Sequence, residues 1–185
     1  GLFANVRINQ QVWRCGFDKV FVAPPMTDDG LALGAALYEA NRRGWPCLRP
    51  IRSMFLGPAN QADGLDDYLK SNGVVFHRPE NAAQEIARLV HAGDIVATCF
   101  GRMEYGPRAL GNRTILVRAI DPNITDLLNH KLRRTEFMPF APIVRAEDAE
   151  ACFEGMAALA HTSEFMTMAV DCKAMVKAKC PAIVH

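Results

Sequence analysis

The chain has 185 residues, enough for one ordinary domain or for one domain with part of a second. Half of the residues are apolar, 22% are charged and the net charge is +1. That composition supplies a core, and it excludes nucleic-acid or membrane-surface binding driven by overall charge. No stretch reaches about eighteen uninterrupted apolar residues, and no basic-then-apolar leader opens the chain, so a cytoplasmic protein is expected.

The opening residues, Gly1-Leu2-Phe3-Ala4-Asn5-Val6, carry no initiating methionine and run straight into amphipathic sequence, which is the pattern of an excised fragment. Residues 20–23, V-F-V-A, read as a short buried strand closed by Pro24-Pro25. Thr27-Asp28-Asp29-Gly30 then leads into an Ala- and Leu-rich helix over 31–43, for which Asp28 or Asp29 is a natural N-cap. Gly44-Trp45-Pro46 ends it, and a boundary is expected near Cys47.

Beyond that boundary a short helix is expected around 65–71, with Gly73 as its stop, and then a strand over 74–76. Asn81 with Gln84 fits a capping box for a helix that Gly93 ends. An apolar run, 95–100, reads as a buried strand, and 114–117 as another. Asp121-Pro122 predicts a helix start, with Ile124, Leu127, Leu128 and Leu132 as its apolar stripe and Lys131 falling inside that stripe. Residues 143–144 could pair as strand, 146–153 read as helix, 165–170 as strand, and 181–185 as the start of another. Alternating strands and helices make the fold class α/β. The six cysteines are scattered with no C-x-x-C pair, so reduced, mostly buried thiols are expected.

Between the strands lies the most informative stretch, 101–113, G-R-M-E-Y-G-P-R-A-L-G-N-R. Glycine lets a backbone approach a ligand closely, and arginine offers a planar fork for phosphate or carboxylate oxygens. From 102 to 134 there are seven basic residues, Arg102, Arg108, Arg113, Arg118, Lys131, Arg133 and Arg134, against three acids, Glu104, Asp121 and Asp126. The local excess suggests an anion site, and the bland alternative is a solvated basic face. Glu104 has two readings: a structural carboxylate that orients Arg102 or Arg108, which is preferred, or a group that accepts a proton or holds Mg²⁺. Asp28 is divided in the same way between capping and metal ligation.

Taken together, 101–115 (G-R-M-E-Y-G-P-R-A-L-G-N-R-T-I), 128–142 (L-N-H-K-L-R-R-T-E-F-M-P-F-A-P) and 28–37 (D-D-G-L-A-L-G-A-A-L) resemble the NodU/CmcH-type carbamoyltransferase family. The resemblance implies the tail of an actin/hexokinase-like, kinase-type domain over 1–45. It implies a YrdC-like domain with a mixed twisted sheet and flanking helices over 46–185, truncated at its end. The implied activity is ATP-dependent: carbamoyl phosphate is activated as carbamoyl adenylate and the carbamoyl group passes to a hydroxyl of a small molecule.

On that resemblance Arg102, Arg108 and Lys131 are the expected catalytic residues. Arg113, Arg133, Arg134, Gly106, Gly111, Asn112 and Glu104 are expected to bind nucleotide or substrate, and Asp28 a metal, together with histidines upstream of this chain. Implied cofactors are ATP and Mg²⁺, with Fe²⁺ in the kinase-like domain. A missing kinase-like segment of the same polypeptide and a homodimer partner are implied as well. The fragment alone is not expected to complete the transfer. The rivals are a threonylcarbamoyl-adenylate-type synthase and a non-catalytic RNA-binding module; the second is disfavoured because the cations cluster around glycines without interleaved aromatics.

Overall fold

Helix α1, Val6–Arg14, begins where the Asn5 side chain accepts from the amides of Arg7 (3.0 Å) and Ile8 (3.3 Å), so the first turn has its orphan donors satisfied. In this computed structural model, residues 1–46, 49–59, 62–135 and 139–184 are described. The remaining helices are α2 (Asp29–Arg42), α3 (Leu65–Ser71), α4 (Ala82–Ala92), α5 (Ile124–Lys131), α6 (Ala149–Cys152), α7 (Met156–Ser163) and α8 (Ala174–Lys179). Among the described residues the sheet has two antiparallel strands, β1 (Val96–Cys99) and β2 (Arg113–Leu116), so the fold mixes α and β. Their register runs from Val96 opposite Leu116 to Cys99 opposite Arg113.

The chain divides into two compact units. The first comprises Gly1–Met54, Tyr105–Arg108 and Ala119–His185; the second comprises Phe55–Glu104 and Ala109–Arg118. The boundary expected at Cys47 lies outside the described residues.

In the first unit the core is Phe153, Met156, Leu159, Met168 and Val176, with Trp13 and Val20 packed against it. Helix α1 reaches this unit's interior with polar residues. Asn9 and Gln10 are buried, and Asn9 Nδ2 donates to the carbonyls of Phe3 (2.8 Å) and Thr167 (2.7 Å). Gly30, in the first turn of α2, is held by close approach: a Cβ there would lie 2.0 Å from the Pro25 carbonyl oxygen.

The second unit is built on β1, β2, α3 and α4. Helix α4 starts and stops as expected: Asn81 Oδ1 accepts from the Gln84 amide at 3.0 Å, and Gly93 takes the left-handed conformation at φ 103°. Beside Met103 runs the Leu56-Gly57-Pro58 segment, where the Gly57 amide donates to the Met103 carbonyl at 2.9 Å. A Cβ on Gly57 would sit 2.9 Å from that same oxygen, so only glycine permits the contact.

Several expected elements take another form. Residues 20–23 and 74–76 find no ladder partner among the described residues, and Val75 is 98% exposed, so these β-branched runs stay unpaired. Within 165–170, Met166 has φ 56°, which breaks an extended backbone. Residues 143–144 are likewise outside any strand, and Pro181–Ile183 is a 3₁₀ turn with proline at its start. The 146–153 helix is a 3₁₀ turn, Ala146–Asp148, followed by the short α6.

Asp28 occupies the N-cap position of α2 but makes no side-chain cap. Helix α5 begins at Ile124 because Asp121 Oδ1 instead accepts from the Asn123 amide at 2.9 Å, turning the chain first. Its buried face is Thr125, Leu128 and Asn129, while Leu127 and Leu132 are 44% and 40% exposed. The expected stripe is therefore rotated, and Lys131 stands exposed instead of inside it. Cys15, Cys152, Cys172 and Cys180 are free thiols, as expected, but Cys15 and Cys99 are exposed, and Cys152, Cys172 and Cys180 are only partly buried.

Candidate functional site

The 101–113 motif is the connection between β1 and β2, and its fixed point is a carboxylate. Glu104 is 8% exposed, and its Oε1 accepts from the amides of Leu110 (2.9 Å), Asn112 (2.8 Å) and Arg113 (3.1 Å). Burial acts to raise its pKa, but the amides of Leu110, Glu104 itself, Arg113 and Asn112 together outweigh burial and hold it below the ordinary carboxylate value. Glu104 thus serves main-chain donors, where the sequence suggested that it aims arginines.

The two motif arginines of this unit, Arg102 and Arg113, are turned onto carbonyls. Arg102 donates from Nε to Gly57 O and from Nη2 to Leu56 O, each at 2.9 Å. Arg113 donates through Nη1 to Phe100 O and to Asn112 O (3.3 Å), and through Nη2 to Gly101 O (3.4 Å). Asn112 Nδ2 donates to Arg102 O at 2.7 Å, and its amide position is set by Glu104. Thr98 closes the base of the loop, donating to Gly111 O (2.9 Å) or Thr114 O (3.1 Å). The structure therefore brings Arg102, Glu104, Gly111, Asn112 and Arg113 together in the second unit, in a network of internal bonds.

Gly106, Arg108, Lys131, Arg133, Arg134 and Asp28 belong to the first unit. Arg108 Nη2 donates to Ala4 O at 3.0 Å, and its Nε is buried with no hydrogen-bond partner. A buried donor left unmet is costly, although Arg108 as a whole is only partly buried. Gly106 has φ 112° and carries the chain past Pro24 and Pro25.

Lys131, Arg133 and Arg134 form the exposed C-terminal end of α5. The Arg133 amide donates to His130 O (3.0 Å) and the Arg134 amide to Asn129 O (3.0 Å), the bonding pattern of a Schellman end. Arg133 thus occupies, at φ 52°, the left-handed position where glycine is usual. The Arg134 guanidinium lies 5.3 Å from the centre of the Phe140 ring. Phe137 and Met138, which precede Pro139-Phe140-Ala141-Pro142, lie outside the described residues.

Asp28 is exposed, and among the described residues no group of three His, Cys, Asp or Glu side chains is gathered for a metal. One carboxylate does not make an ion site, so the residues present do not fit Mg²⁺ or Fe²⁺ by themselves. No described helix is long and apolar enough to cross a membrane.

Sequence reasoning missed the main-chain acceptors: Ala4 O for Arg108, and Leu56 O and Gly57 O for Arg102. Carbonyls carry no residue signal.

With this geometry in view, the similarities to known proteins are specific. Residues 87–185, more than half of the chain, match the family described as Carbamoyltransferase C-terminus. The chain belongs to the NodU/CmcH-type carbamoyltransferase family. It is 35% identical over 165 residues to 3'-hydroxymethylcephem-O-carbamoyltransferase of Streptomyces clavuligerus, covering 83% of this chain and 28% of that protein. It is 32% identical over 187 residues to nodulation protein U of Sinorhizobium fredii, covering 100% of this chain and 31% of that protein. Nodulation protein NolNO of the same organism is 34% identical over 160 residues, 83% of this chain and 24% of its own length. The chain thus spans about a third or less of the length of these curated relatives.

Proposed function

We propose that this chain is part of an ATP-dependent O-carbamoyltransferase in which it contributes to making carbamoyl adenylate. In this reading residues 46–185 correspond to a YrdC-like domain and 1–45 to the end of a kinase-like one. Water attacks the carbamoyl carbon of carbamoyl phosphate as the bond from that carbon to the phosphate oxygen breaks, giving carbamate, inorganic phosphate and a proton. A carbamate oxygen then bonds to the α-phosphorus of ATP as the bond to the β-phosphate oxygen breaks, giving carbamoyl adenylate and pyrophosphate. An acceptor hydroxyl bonds the carbamoyl carbon, gives up its proton, and AMP departs. One relative is named for a hydroxymethyl acceptor, which supports oxygen as the receiving atom.

The observation that carries the reading is Arg108, a cation whose Nε is buried without a partner while Nη2 is anchored on Ala4. A fixed guanidinium of this kind stabilises negative charge that grows on phosphate oxygens, because its orientation is already set before the reaction. Lys131, Arg133 and Arg134 add exposed positive charge in the same unit, at a helix end whose dipole is negative. Arg102 and Arg113 act differently in this account: they hold the loop. No step is assigned to a metal. Cytoplasmic location and a homodimer remain part of the proposal.

Calorimetry of ATP binding, with and without carbamoyl phosphate, tests the reading. Binding of ATP that Arg108→Ala weakens is expected. ATP affinity identical in wild type and variant would remove Arg108 from the site.

A further inference from the structure

Glu104 was open to three roles from sequence: proton acceptor, Mg²⁺ ligand, or partner of an arginine. Its Oε1 instead receives three main-chain donors within 3.1 Å, which leaves that oxygen no capacity for a proton or a cation. Amides converging on one point form an anion-binding nest, the kind of concavity that elsewhere takes phosphate. Here the nest is filled from within the chain, by a side chain only 8% exposed.

We propose that Glu104 is a positioning residue: its carboxylate is an internal anion that holds the Leu110, Asn112 and Arg113 amides in one geometry and, by tying residue 104 to residue 110, pins both chain ends of the segment that carries Arg108. This rests on the ATP-binding reading above.

Without the carboxylate, the donors of Leu110, Asn112 and Arg113 would have to find water. The Asn112 bond to Arg102 O and the Arg113 bonds to Phe100 O and Gly101 O would lose the frame that aligns them. A neutral glutamine oxygen is a weaker acceptor than a carboxylate, since charge-assisted bonds are roughly twice as strong as neutral ones. Aspartate keeps the charge but is one methylene shorter.

The test uses Glu104→Ala, Glu104→Gln and Glu104→Asp, with hydrogen exchange of peptides covering 109–114 and ATP affinity measured on each. In Glu104→Ala, exchange in that segment is expected to rise at least tenfold and ATP affinity to fall about tenfold, with helix α4 unchanged. Sodium formate, a carboxylate that fits the vacated place, is expected to restore both; sodium chloride at equal ionic strength is not. Glu104→Asp is expected to retain more of both than Glu104→Gln, which keeps the length but loses the charge. Unchanged protection in Glu104→Ala, or no rescue by formate, overturns the internal-anion role. Faster exchange with unaltered ATP affinity overturns the positioning role. A wild type that binds no ATP sinks the nucleotide reading itself, whereas a wild type that binds ATP beside a Glu104→Ala protein that binds it equally sinks only this inference.

Discussion

Arg108 donates to the main-chain oxygen of Ala4 at 3.0 Å, although 104 positions separate them in the chain. That single bond fixes the direction of the guanidinium and leaves Nε buried and unmet. Replacing Arg108 by alanine removes a charged donor worth about 1.5–3 kcal/mol to an anion, so ATP affinity should fall roughly tenfold to a hundredfold. Lysine at the same place keeps the charge but not the fork and should recover only part of the loss. Titration calorimetry of both variants measures it.

Arg102 makes a contrasting prediction. Its two bonds go to Gly57 O and Leu56 O, so its removal should act on stability. Arg102→Ala should cost about 1 kcal/mol, discounted for its exposure, and Arg102→Lys should restore little because lysine cannot span two carbonyls in one plane. The midpoint of urea unfolding reports this.

Arg133 sits where a helix end favours glycine. Arg133→Gly should stabilise the protein by about 1 kcal/mol by relieving the left-handed backbone. If the residue also meets phosphate, the same variant binds ATP more weakly while melting higher. Paired melting and titration curves separate the two effects.

Gly30→Ala places a methyl 2.0 Å from Pro25 O, inside any allowed contact. The clash involves backbone on both sides, so the start of α2 must move, and a loss of about 2 kcal/mol or more is expected in denaturant unfolding.

Glu104 sets an acid limit. Its folded pKa is held below the unfolded value by main-chain donors that outweigh burial, so between the two values the folded state binds fewer protons than the unfolded state. Its contribution is full above the unfolded carboxylate pKa and is lost as pH falls through the lower folded value. Stability curves for wild type and Glu104→Gln should therefore converge toward low pH and separate as pH rises past the ordinary carboxylate range. Parallel curves throughout would contradict it.

Local signals in the sequence carried far where the physics is local. Asn81 with Gln84 and Gly93 bound α4, and α3 falls on Leu65–Ser71, because caps and glycine stops act within one turn. Strand β1 lies within the apolar run 95–100, and β2 overlaps the expected 114–117 strand but starts one residue earlier, on Arg113 of the motif. The failures are non-local. Residues 20–23 have strand propensity but no partner among the described residues, and the buried face of α5 takes Thr125 and Asn129 with Leu128, leaving Leu127 and Leu132 exposed. Helices α7 and α8 were not foreseen, since alanine-rich and lysine-rich segments give a weak apolar period. At the candidate site, residue types singled out the 101–113 loop, but which arginines face carbonyls was hidden, because carbonyls are present at every position.

The most direct measurement is pyrophosphate release by the intact protein supplied with ATP and carbamoyl phosphate, comparing wild type with Arg108→Ala. The account predicts release that requires both substrates and falls at least tenfold in the variant. Release unchanged by Arg108→Ala, or equally fast without carbamoyl phosphate, would contradict it.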